Sequence, residues 1–163
     1  MPLMKDITGK TFGILSNHWK SMDRMALRMQ HQLKEVYKVA DVRFYDVPIN
    51  GAMSAAVKES AISDCDAVIV GLANWGSCTS WSVHDTTELT RAGVPSIVIA
   101  TEAFTNLLTV MLRARQAPDA LAVIVKGNPE VMDVAKMDPL ADKVLGEVVR
   151  QLNGEGRSSE FIS

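Results

Sequence analysis

Five short strand-forming runs alternate along the chain with longer stretches in which apolar residues recur every three to four positions. The runs cover residues 11–16, 42–47, 67–72, 96–100 and 121–125 and read as strands, the third (Ala67-Val68-Ile69-Val70-Gly71-Leu72) being continuously apolar, as in a strand buried on both faces. Between and after them, residues 22–39 carry Met25, Leu27, Met29, Leu33 and Val36 near helical spacing. Residues 52–63, 80–92, 103–116 and 139–152 supply four more helices. Gly93 follows the third helix, at the place where a left-handed C-terminus favours glycine. Pro48, Pro95, Pro118 and Pro129 all fall at element ends, where a fixed φ and a missing N–H do least harm.

A strand-helix repeat with such short connections implies parallel strands, right-handed crossovers and helices on both faces of one sheet. The expected architecture is an α/β three-layer sandwich, with a five-stranded parallel sheet in the flavodoxin-like order 2-1-3-4-5. A chain of 163 residues is long enough for one continuous core. Residues 1–153 are therefore expected to form a single domain. The polar, glycine-rich stretch 154–163 is expected to be a mobile tail unless a partner subunit orders it.

Composition narrows the partners. Seventeen basic against nineteen acidic residues, without a basic run or a basic patch interleaved with aromatics, argue against nucleic acid. No stretch approaches the roughly 18 apolar residues of a membrane helix, and Met1-Pro2-Leu3-Met4-Lys5-Asp6 does not read as a signal peptide. A cytoplasmic location and no membrane partner are the expectation. The Cys and His spacing supports no metal site, and the segment after the first strand holds no Gly-rich or Ser/Thr-rich phosphate loop. No cofactor is expected. The acidic pocket of a response-regulator receiver is missing as well.

The candidate chemistry sits where the third strand gives way to a helix. In an open parallel sheet, ligands bind beyond the carboxyl ends of the strands near the point where strand order reverses, here between strands one and three. Loops after strands one, three, four and five bring Asn17, Lys20, Cys78 and Thr101 into one neighbourhood. Cys78 lies near the first N–H groups of the following helix, whose partial positive charge favours a thiolate, so it is a candidate nucleophile, redox or proton-transfer thiol. Lys20 is a candidate to position an anionic substrate or activate the thiol, and His84 is a candidate base. Asn17, Trp75, Gly76, Ser77, Thr79, Ser80, Thr101 and Glu102 are candidate substrate contacts. The same stretch also reads as a well-capped helix start: Thr79, Ser80 or Ser82 can cap, and Ser82-Val83-His84-Asp85 fits the Ser-x-x-acid pattern. Cys65 and Cys78 bracket the third strand, roughly 20 Å apart at about 3.3 Å per residue, too far for a disulfide. Cys65 is read as a packing residue. His18 is read as a peripheral loop residue and His31 as lying on an exposed helix face.

The stretch Gly71-Leu72-Ala73-Asn74-Trp75-Gly76-Ser77-Cys78-Thr79-Ser80-Trp81-Ser82-Val83-His84-Asp85, followed by Glu88-Leu89 and Ala92-Gly93-Val94-Pro95, resembles the UGSC family of selenoproteins and their cysteine-containing relatives. More distantly it is similar to the selenocysteine region of glycine and betaine reductase component B. Asn17, Lys20 and Thr101-Glu102-Ala103-Phe104 also resemble family positions, and the likeness spans roughly residues 10–150. The resemblance implies thiol or selenol chemistry on a small molecule at a U-x-x-C or C-x-x-C site. Here Trp75 stands where the family carries selenocysteine or cysteine, leaving Cys78 as the only matching chalcogen and excluding a self-contained dithiol cycle. Two functions follow as expectations. One is a thiol-dependent reductase, lyase or hydrolase centred on Cys78. The other is a non-catalytic or accessory subunit that pairs with a paralogue carrying the missing chalcogen; the assembly expected is a homo-oligomer or a hetero-oligomer with such a paralogue.

Overall fold

The structure is a computed structural model describing residues 4–158 and 160–163. The chain alternates strand and helix throughout. In order come β1 (Thr11–Ser16), α1 (Lys20–Glu35), β2 (Asp41–Asp46), α2 (Ala55–Asp64), β3 (Ala67–Ala73), α3 (Gly76–Arg91), β4 (Ser96–Thr101), α4 (Thr105–Ala114), β5 (Leu121–Val125) and α5 (Met137–Arg150). All strand pairings are parallel, in the order β2-β1-β3-β4-β5. The expected α/β sandwich and strand order are the observed ones.

Alternation along each strand builds the two faces. Phe12, Ile14, Ile69, Ile97, Ile99, Val123 and Val125 meet the buried stripe of α1 (Met22, Met25, Ala26, Met29, Leu33) and that of α5 (Leu140, Ala141, Val144, Leu145, Val148). Arg28 bridges those two helices by a bidentate pair with Asp142, at 2.8 and 2.9 Å. On the opposite face, Leu15, Val68 and Val70 pack with Met53, Ala61 and Leu89, while Val98, Ala100, Ala122 and Ile124 pack with Val83, Leu108 and Leu112. That face carries α2, α3 and α4.

Helix ends depart from the pattern for local reasons. α1 stops at Glu35 rather than 39, because Lys38 takes a left-handed φ of 58° and the amides of Tyr37 and Val39 close back on the carbonyls of Gln32 and Leu33. α3 begins at Gly76, four residues before the expected start, with Trp75 as its N-cap and no side-chain cap. The proposed caps are absent: the Thr79 and Ser80 hydroxyls donate backwards to the carbonyls of Trp75 (2.7 Å) and Gly76 (3.2 Å), and Ser82 lies inside the helix.

The tail returns to the sheet at one point. Ile162 bridges to Val125, its amide donating to the Ile124 carbonyl (2.8 Å) and its carbonyl accepting from Lys126 (2.7 Å). Ser159, within that tail, lies outside the described residues. Among the described residues, no helix is long and apolar enough to cross a membrane.

Candidate functional site

Cys78 occupies the third position of α3, and its residue is only 3% exposed. Its hydrogen-bond partner lies on the β2–α2 connection, residues 47–54. The sulfur donates to the Ile49 carbonyl at 3.1 Å. Two turns further along, on the same helix face, the Asp85 carboxylate accepts from the Met53 amide through both oxygens, each at 3.2 Å. Asp85 is 2% exposed. Burial pushes its carboxyl above the usual carboxylate range, opposed by the hydrogen bonds from His84 and Met53 and by the charges of His84 and Arg115.

His84 belongs to Asp85 rather than to Cys78. Its Nδ1 lies 3.0 Å from Asp85 Oδ1, and its ring meets Trp81 edge-on at a centroid distance of 5.7 Å. Lys20 is exposed at the start of α1 and forms no ion pair among the described residues. The expected grouping of Cys78 with Lys20 and His84 is thus not formed through hydrogen bonds or ion pairs. Cys65 is free and buried, as expected of a packing residue, beside the Tyr45 hydroxyl at 3.6 Å; burial pushes its thiol up.

The reversal point between β1 and β3 is closed rather than open. Asn17 continues the β1–β3 ladder beyond Ser16 with its side chain, Nδ2 donating to the Leu72 carbonyl and Oδ1 accepting from the Leu72 amide, both at 2.8 Å. Glu130, swung over from the loop after β5, accepts from the Ser21 amide at 3.0 Å. Both polar atoms of the Asn17 side chain are thus engaged with Leu72.

An open cleft of about 430 Å³ lies instead over the ends of β3, β4 and β5. Trp75 and Phe104 supply aromatic surface, and Asn74, Thr101, Glu102 and Asn128 supply polar groups. Trp75 is 62% exposed. Beneath it the polar groups form a chain: Thr101 Oγ1 donates to Asn74 Oδ1 (2.9 Å), and Asn74 Nδ2 donates to Asn128 Oδ1 (3.0 Å). Glu102 Oε1 accepts from the Gly127 amide at 2.7 Å. The arrangement fixes three loops against one another before any ligand arrives, as binding clefts require.

Of the expected contacts, Trp75, Thr101 and Glu102 line this cleft; Gly76 and Ser77 open α3 just behind Trp75, and Thr79 and Ser80 turn their hydroxyls into the helix. Asn74, Phe104 and Asn128 also line the cleft; they lie in the loops that the sequence brings to this edge of the sheet, but were not singled out there as contacts. Sequence reasoning missed Asp85 as a buried acid, although a carboxylate between Ser82, Val83, Thr86 and Leu89 sits on the inward stripe of α3. Among the described residues, no group of three or more His, Cys, Asp or Glu is placed to hold a metal ion.

A model of the UGSC family matches residues 1–154 of the chain. None of the curated proteins matches it.

Proposed function

We propose that this chain, which belongs to the UGSC family, is a small-molecule-binding accessory subunit that works beside a relative carrying the selenocysteine or cysteine of the motif. The observation that carries the reading is the contrast between Trp75 and Cys78. Trp75, at the position where the resemblance expects the chalcogen, is exposed in the cleft, while the Cys78 sulfur is turned away into the Ile49 carbonyl. A cleft with an aromatic wall, pre-bonded amides and one carboxylate is equipped to hold and orient a ligand. Among the described residues, no cysteine lines it.

The test is to purify the chain alone and after co-expression with a chalcogen-bearing family member. The isolated chain is expected to be inert. The pair is expected to turn over substrate with Cys78→Ala in place, whereas Trp75→Ala weakens substrate binding by about tenfold, the order of one lost aromatic contact. Turnover by the isolated chain that disappears in Cys78→Ala would reject this reading.

A second reading, a thiol-dependent enzyme, is favoured by the place of Cys78 in the first turn of α3, where helix N–H groups stabilise anionic intermediates. It requires the covering loop to move.

A further inference from the structure

We propose that the β2–α2 connection is a strap that shuts Cys78 away from solvent, and that Asp85 is the positioning residue that keeps the strap closed. The inference concerns access to the sulfur and stands apart from the ligand cleft.

The strap is fastened at few points. Its two ends are pinned by the buried side chains of Val47 and Met53. Between them Pro48, Ile49 and Asn50 are exposed, and Gly51 and Ala52 are half-buried. Among the described residues, the hydrogen bonds joining residues 48–53 to the rest of the fold come from two places, the Ile49 carbonyl on Cys78 and the Met53 amide on Asp85. The first is a neutral thiol contact, weak by nature. The second is a backbone amide on a buried carboxylate, which is the strong kind. The fastening strength therefore lies at Asp85, two helical turns from the sulfur that it protects.

Geometry makes the coupling direct. Cys78, Ser82 and Asp85 follow one face of α3, so a segment that leaves Asp85 also leaves Cys78. Burial raises the Asp85 pKa, and His84 on the same helix and Arg115 after α4 act against that shift. Lys58 of α2 is engaged with Glu88 instead. Ile49, at 44% exposure, is the apolar lip of the strap and presents no barrier to lifting.

The experiment uses the full chain, native buffer and iodoacetamide, with peptide mass spectrometry reading Cys78 and Cys65 separately. Cys65, the buried C-cap of α2 at the opposite end of β3 from Cys78, reports any opening that spreads beyond the strap. Asp85→Ala is expected to speed alkylation of Cys78 by about tenfold, the change in opening equilibrium that follows loss of one hydrogen bond to a charged group, with the Cys65 rate unchanged. Asp85→Asn keeps an acceptor for the Met53 amide and is expected to stay much closer to the parent rate. Inserting two glycines after Gly51, which leaves α3 untouched, is expected to act like Asp85→Ala. Equal acceleration at both cysteines, no acceleration at Cys78 in either loosened variant, or an Asp85→Asn rate matching Asp85→Ala overturns the proposal.

Discussion

His18 holds each ring nitrogen against a carboxylate, Nδ1 on Asp23 at 3.1 Å and Nε2 on Asp46 at 2.9 Å, and so ties the β1–α1 turn to the end of β2. The hydrogen bond to Asp23 is the main cause that raises its pKa above the ordinary value of 6.5, with the charges of both aspartates adding to it. The folded state therefore binds the proton more tightly than the unfolded chain. The resulting stabilisation is complete below the ordinary histidine pKa and is lost as pH rises through the raised one. With 48% of the side chain exposed, the effect is small and screened by salt. His18 also has a left-handed φ of 68°, which asparagine tolerates. His18→Asn is thus expected to lower Tm relative to the parent at about pH 5 and to leave it unchanged at about pH 9. A Tm difference of the same size at both pH values would assign the residue a purely conformational role.

Asn17 works at the scale of the element, because one side chain replaces a rung of the β1–β3 ladder and meets both the N–H and the C=O of Leu72. Asn17→Ala leaves those two buried groups without partners, and the expected loss is on the order of 3 kcal/mol in denaturant unfolding. A loss below about 1 kcal/mol would mean that water replaces the amide. The elements themselves were legible: continuous apolar runs such as 67–72 can only be strands covered on both faces, and the Met25, Met29, Leu33 stripe can only face a core. The start of α3 was not, because Trp75-Gly76 offers no side-chain cap and the hydroxyls that look like caps bond back into the helix. Cys78 was legible as lying close to a helix N-terminus, although the expected helix began two residues after it. Its burial was not, since the covering segment lies some thirty positions earlier in the chain, beyond the reach of any local pattern. Asp85 was read as a cap for the same reason: its partner is the distant Met53 amide.

At the scale of the whole molecule the two faces of the sheet are unequally held. α1 and α5 each bury a full stripe against the sheet and are clamped together by Arg28 and Asp142, whereas α2 fully buries only Ala61, with Val57 and Ile62 packed partway. Buried apolar area is the main source of helix stability in proteins, so α2 and the strap that leads into it form the least secured stretch of the regular fold. The Ser54 hydroxyl, accepting from the Val57 amide at 3.1 Å, caps α2 independently of the strap's bond to Asp85, so the helix is expected to stay formed when the strap lifts. The cleft lies over β3, β4 and β5, on the far side of β1 from the edge strand β2, and its loops are bonded to each other rather than to the strap. Opening the strap would therefore expose the sulfur while leaving the ligand cleft assembled. In native-state hydrogen exchange, amides of residues 49–64 are expected to exchange faster than those of α1 and α5, and those of residues 49–53 to speed up in Asp85→Ala while α2, β3 and β4 keep their protection. If Asp85→Ala sped exchange in β3 along with the strap, the fold would open only as a whole, and the sulfur and the cleft could not be exposed separately.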